Sequence, residues 1–162
     1  MKKIIGLILI MLMLSGCNVV YNYDNFVMPD DTEFMEVVKE LNTPEKICRY
    51  MEDNFTPLEI NPVCYNPYEM FCYKTGDCSD YADFSAFVAN YHGYKIYQVH
   101  IFFEDCAHLI TVLKIDGKYN YIDWWNYFEV GTEKIDDVLN NWYGVKSYRV
   151  LDCNGNIIEV KN

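Results

Sequence analysis

The sequence predicts an α+β domain, and three observations carry that prediction. Apolar residues recur at helical spacing over 32–55 and again after Cys78. Residues 95–123 then break into short runs rich in Ile, Val, Tyr and Phe. Asp116-Gly117 separates the last two of these runs as a two-residue hairpin signal, which makes them antiparallel neighbours.

The elements follow in chain order. Phe34, Met35, Val37, Val38 and Leu41 mark a first helix over 32–41, with Asp30 or Asp31 as its cap. Thr43-Pro44 is an N-cap followed by proline at the first helical position, and Ile47, Tyr50, Met51 and Phe55 continue a second helix. Pro57, Pro62 and Pro67 make 54–73 a loop crossing the surface, with Tyr65, Tyr68 and Phe71 either lining a groove or covering the core. Asp77 is a good N-cap and puts Cys78 in the first turn of a third helix, whose buried face holds Tyr81, Ala82, Ser85, Val88 and Ala89. His92 at its end suits the helix dipole and reads as structural. Strands are expected over 95–103, 107–115 and 118–123.

The aromatic run Trp124-Trp125-Asn126-Tyr127-Phe128 follows, either as core or as one wall of an acceptor site. Ile135, Val138, Leu139 and Trp142 share a face of a helix over 133–142, closed by Gly144. Strands over 146–152 and 157–160 flank Asn154-Gly155 as a final hairpin.

The hairpin register carries chemical information. With Asp116 and Gly117 as the whole loop, Ile115 faces Lys118 and Ile110 faces Asp123. His108, two residues from Ile110 on the same face, becomes the diagonal neighbour of Asp123, roughly 7–8 Å away at the backbone. A slip of one residue would put the two on opposite faces. At a helix start, unpaired N–H groups and the dipole favour a thiolate, so Cys78 with His108 and Asp123 has the layout of a nucleophile, its base and the base's orienter.

The run Gly76-Asp77-Cys78-Ser79-Asp80-Tyr81-Ala82, then His108 in an apolar strand and Asp123 ending the next, resembles the transglutaminase-like branch of papain-like cysteine enzymes. The resemblance covers about the central third of the chain, residues 70–125. It implies a papain/transglutaminase-like core, with the nucleophile-bearing helix packed on an antiparallel sheet and extra N-terminal helices. It also implies Cys78 as nucleophile, His108 as base and Asp123 as orienter. Acyl transfer on an amide or peptide bond follows, by hydrolysis or transamidation, without a cofactor. The oxyanion would be held by the Cys78 N–H and a second donor sought in 65–73. Tyr65, Tyr68, Trp124 and Trp125 are the candidate groove residues. The rival of another class is a catalytically silent lipoprotein using the same fold as a protein-binding module.

Lys2 and Lys3 followed by an apolar stretch over 4–14 form a signal segment too short to span a membrane comfortably. Leu14-Ser15-Gly16-Cys17 resembles a bacterial lipoprotein box, which implies loss of 1–16, a lipid on Cys17, a tether over 17–31 and a domain over 32–162. The expected location is the cell envelope, with a peptide or protein there as substrate. The chain carries a net charge of −11; without Lys2 and Lys3 it becomes −11 − 2 = −13, which excludes nucleic acid as a partner.

Seven cysteines are present. With Cys17 and Cys78 assigned, Cys48, Cys64, Cys72, Cys106 and Cys153 form at most two disulfides. Cys106 shares a strand face with His108 and is a candidate for a regulatory disulfide with Cys78, unless a bulge at Glu104-Asp105 turns it away. A zinc site of Cys78, Cys106 and His108 with Cys72 or Asp123 is the other chemical reading; the absence of a Cys-x-x-Cys pair weighs against it. His100 reads as a packing residue.

Overall fold

The computed structural model describes residues 26–161. Among the described residues four helices, α1 (Thr32–Glu40), α2 (Pro44–Asn54), α3 (Pro67–Tyr73) and α4 (Cys78–Tyr91), precede the main sheet. A short parallel pair, β1 (Thr56–Pro57) and β2 (Thr75–Gly76), links the helical segments. The main sheet holds β3 (Lys95–Phe102), β4 (Ala107–Ile115), β5 (Lys118–Asp123), β6 (Asn126–Thr132), β7 (Ser147–Leu151) and β8 (Ile157–Lys161). Its order is β6-β5-β4-β3-β7-β8, and every pairing is antiparallel. The signal segment 1–16, Cys17 and most of the expected tether lie outside the described residues. Of that tether, Phe26 packs edge-on against Phe87 of α4, ring centroids 5.0 Å apart.

Local chemistry sets the helix starts. The Asp31 carboxylate accepts from Phe34 N–H at 3.0 Å, and the Thr43 hydroxyl accepts from Lys46 N–H at 3.3 Å. The expected loop over 54–73 is corrected at its end, where α3 forms. Asn66 accepts from Tyr68 and Glu69 N–H while the Glu69 carboxylate accepts from Asn66 N–H, a reciprocal cap with Pro67 at the first position. That Asn-Pro-x-Glu signal was present in the sequence. The helix stops at Lys74, which adopts φ 58° and lays its ammonium 3.7 Å from the Phe71 ring centroid.

The helix bearing Cys78 differs from expectation in one respect. Instead of one buried face, every residue from Ser79 to Ala89 is buried. It is the central element, covered by α2 and α3 on one side and by β3, β4 and β5 on the other. Polar bonds pin it to the sheet. Ser85 Oγ donates to Thr111 Oγ1 (2.8 Å), Thr111 Oγ1 donates to the Ala82 carbonyl (2.7 Å), and Gln98 Nε2 donates to Asp83 Oδ1 (2.6 Å).

The core lies on both faces of the sheet. Phe34, Ile47, Met51, Phe84, Val88 and Leu113 fill the side of α4. Val99, Ile101, Ile110, Val112 and Val150 fill the other, under Val138 and Leu139. Those two belong to a 3-10 helix, Ile135–Asn141, where an α-helix was expected. Lys134 gives it no side-chain cap, and its Asp and Asn residues are weak helix formers, so the segment closes in short, tight turns.

Asp116 and Gly117 have φ of 50° and 81°, the backbone of a two-residue hairpin whose central positions are both left-handed. Ile115 faces Lys118 and Thr111 faces Ile122, the register read from the sequence.

Candidate active site

Cys78 opens α4 and is half-buried. The residues around it form a clamp built from two carboxylates. Asp77 accepts from Ser79 N–H (2.9 Å) and Ser79 Oγ (2.6 Å) with one oxygen, and from Asn61 N–H (2.9 Å) with the other. Asp80 accepts from Asp77 N–H, Asn61 Nδ2 and Tyr65 N–H, each at 2.8 Å. Burial pushes the Asp80 carboxyl up from its ordinary value, and these three donors pull against that rise. The loop holding Asn61 and Tyr65 is thereby fixed against the helix start. Gly76 allows the approach: a Cβ there would sit 2.6 Å from Asp80 Cβ. Asn61 had no role in the sequence reading and Asp80 only that of a motif position, although an acid three residues after an Asp cap is a capping-box signal.

The hairpin brings His108 and Asp123 together. His108 Nε2–H donates to Asp123 Oδ1 at 2.7 Å, the two side chains being 16% and 22% exposed. Nδ1 is the other ring nitrogen, and Cys78 lies near enough to favour the protonated ring. Burial opposes protonation of His108, but Asp123 and Cys78 outweigh it and raise the imidazole to about 9. Two indoles flank the ring. Trp142 lies 5.4 Å and Trp124 6.2 Å from it, centroid to centroid. Trp124 reaches that place by adopting φ 52° directly after Asp123, and it also packs on Tyr81 at 4.9 Å. Trp142 was expected only as a helix-face residue; no local signal ties it to His108.

The remaining predicted residues divide. Trp125 packs on Tyr81 at 5.8 Å, beside Trp124. Tyr68 packs against the core: its ring meets Phe34 at 5.2 Å and its hydroxyl donates to Asp31 at 2.8 Å. Phe71 is buried and Tyr65 packs on Tyr73, ring centroids 4.9 Å apart. No backbone N–H of 65–70 is left to be the expected second oxyanion donor. Tyr65 N–H serves Asp80, Asn66 N–H serves Glu69, and the N–H groups of Tyr68, Glu69 and Met70 all serve Asn66.

Cys48, Cys72, Cys78, Cys106 and Cys153 are free thiols, so no disulfide joins Cys78 to Cys106. Cys106 is exposed in the turn before β4, where its carbonyl accepts from Phe103 N–H at 2.9 Å. Among the described residues no group of three His, Cys, Asp or Glu is placed to hold a metal, so the zinc set drawn from Cys72, Cys78, Cys106, His108 and Asp123 does not assemble. His92 does more than end α4: its Nε2 lies 2.8 Å from the Val38 carbonyl and ties α1 to α4.

A family model described as a transglutaminase-like domain matches residues 8–132. The chain belongs to the transglutaminase-like family. No curated protein sequence matches it. Among solved structures, one of LapG from Legionella pneumophila superposes with a TM-score of 0.50 at 14% identity, over 60% of this chain and 65% of that one. This transglutaminase-like chain therefore spans just under two thirds of that relative. The calcium-bound form of LapG gives 0.52 at 12% identity, over 81% and 73% of the two chains. A candidate protease from Parabacteroides distasonis gives 0.51 at 14% identity, over 86% of this chain and 29% of that one. At such identities the likeness is one of fold. Helices before an antiparallel sheet, with the cysteine-bearing helix packed on it, are the transglutaminase-like, papain-like arrangement.

Proposed function

We propose that this transglutaminase-like protein is a thiol enzyme that transfers the acyl group of an amide or peptide bond through Cys78, His108 and Asp123. The observation that carries the reading is the His108 ring. It is bonded to Asp123 at 2.7 Å, flanked by two indoles, and near a cysteine in the first turn of a helix.

In this mechanism His108 takes the Cys78 proton, and Asp123 stabilises the imidazolium and holds the ring. The thiolate attacks the carbonyl carbon, and the negative charge moves to the carbonyl oxygen, near the Cys78 N–H that the helix start leaves without an intrahelical partner. Collapse breaks the C–N bond as His108 passes its proton to the leaving amine. Water or a primary amine then attacks the thioester, regenerating the thiol. The likeness to the candidate protease from Parabacteroides distasonis favours water.

We further propose export and a lipid on Cys17, supported by the basic start, the apolar run and the Leu-Ser-Gly-Cys box. Envelope peptides would then be the substrates within reach. Replacing Cys17 by Ala is expected to move the protein from the membrane fraction to the soluble one.

The test of the triad is the pH dependence of Cys78 alkylation, read at the peptide by mass spectrometry. Fast labelling at pH 5–6 that His108→Ala abolishes is the result expected of a thiol whose base is His108. An ordinary thiol profile, unchanged by the substitution, would instead mark the protein as a binding module.

A further inference from the structure

The sheet continues past the start of α4, and the direction of the helix shows where. Its middle sits over the row Gln98–Thr111, through the bonds of Asp83, Ala82 and Ser85. Its later residues Ala86 and Ala89 share a core with Ile96 and Leu113, the row on one side. The N-terminus therefore points to the opposite side. One helical turn advances about 5.4 Å and two strand residues about 6.7 Å, so Cys78, one turn before Ala82, comes over the next row. That row crosses four strands as Leu109, His100, Arg149 and Val160. The row beyond holds Ala107, Phe102 and Ser147.

Exposure changes along this face as a groove floor requires. Gln98 and Thr111 are wholly buried beneath the helix and Leu109 is still buried at the β4 end of the next row, while His100, Phe102 and Ser147 are half-buried and Ala107, Arg149 and Val160 are exposed. Arg149 stands out chemically. The chain has 24 acidic residues against 13 basic ones, and only two of the latter are arginines. Yet Arg149 makes no ion pair or side-chain hydrogen bond among the described residues. Its guanidinium carbon lies 5.1 Å from the Phe102 ring centroid, and the Phe102 and His100 rings are 4.3 Å apart. No carboxylate occupies either row.

We propose that the part of this strip from His100 and Phe102 to Arg149, which no described element covers, is the floor of the substrate groove, and that Arg149 on it binds a carboxylate of the peptide presented to Cys78. The inference rests on the acyl-transfer reading for its substrate. A guanidinium held by an aromatic ring offers the forked donors that a carboxylate takes in two parallel bonds. His100 supports the site as a neutral neighbour: burial, then Arg149 and His108, push it down to about 4, leaving an imidazole N–H as a further donor. The substrate class is thus a peptide with Glu, Asp or a free C-terminus a few residues from the attacked carbonyl.

The experiment uses short iodoacetyl peptides, alanine-based, with Glu or Gln moved through successive positions from the electrophile. The second-order rate of Cys78 labelling is measured for the unaltered protein, Arg149→Gln and Arg149→Lys. At one position Glu is expected to react about tenfold or more faster than Gln, as a charge-assisted bond allows. That ratio should fall to about one in Arg149→Gln, be intermediate in Arg149→Lys, and shrink with added salt. A ratio near one at every position, or one that survives Arg149→Gln, overturns the proposal. Should Cys78 prove inert, the acyl-transfer reading fails separately, and carboxylate binding is read on Cys78→Ala by fluorescence polarisation of the labelled Glu and Gln peptides. Preference for Glu that Arg149→Gln abolishes supports the site; equal binding of the two peptides overturns it.

Discussion

Asp80 is bonded three times over, to Asp77 N–H, Asn61 Nδ2 and Tyr65 N–H. Replacing it by Ala leaves these donors in a buried place without acceptors, at a cost on the order of 3 kcal/mol. Urea denaturation is expected to show that loss, with Cys78 labelling slowed because the loop beside it is released. Gly76→Ala reaches the same clamp by steric means. Its Cβ would fall 2.6 Å from Asp80 Cβ and 2.8 Å from Asp80 Oδ2, so the carboxylate must leave its partners. A loss of about 2 kcal/mol is expected by the same denaturation measurement. His108 supplies a pH signature. Its folded value of about 9 lies above the ordinary 6.5, so its stabilising contribution is complete below about pH 6.5 and is lost as pH rises through 9. The difference in melting temperature between the unaltered protein and Asp123→Asn should be largest near pH 6 and shrink by pH 9.5. A difference that stays constant over that range would show that the pair contributes no such stability.

At the scale of elements, the geometry of the proposed site rests on how α4 is seated against β4. Thr111 Oγ1 links the two through Ala82 and Ser85. Thr111→Val keeps the side chain's shape but removes both bonds, while Ser85 Oγ keeps the Ala82 carbonyl as a partner at 3.1 Å. A modest loss of about 1 kcal/mol is expected, measurable by thermal unfolding. The elements also show how far local reading extends. The caps at Asp31, Thr43 and Asp77 act within three residues of themselves, so their helices begin where the sequence places them. The Asp116-Gly117 turn likewise sets a register that carries outward to His108 and Asp123. The helix α3 carried the same class of signal at Asn66 and Glu69, and three nearby prolines obscured it. The 3-10 helix misled in the other direction: its apolar spacing suits an α-helix, but without a side-chain cap it closes in tighter turns.

The whole molecule presents two sheet edges, and β8 is the more exposed. Ile157, Ile158 and Val160 are 54%, 54% and 51% exposed on its last strand. Net negative charge keeps copies apart at neutral pH, and that repulsion vanishes near the isoelectric point of about 4.5. Light scattering is expected to show association near that pH, reduced in Ile158→Lys because a charge on an edge strand opposes strand addition. Scattering unchanged by the substitution would place the association elsewhere.

What the sequence determined by itself is what short-range rules govern. These are the helix starts, the central hairpin and the meeting of His108 with Asp123, because each follows from bonds between residues a few positions apart or from the period of a strand. Only the tertiary structure decided the rest. It buried α4 on all sides, where the sequence showed one face. It brought Asn61 across to Asp77 and Asp80, and it carried Trp142 onto His108 from 34 residues downstream (142 − 108). It also left Arg149 exposed against the Phe102 ring, with no ion pair among the described residues. Such contacts depend on which rows of the sheet a helix covers, and that is settled by packing of the whole core rather than by any local pattern.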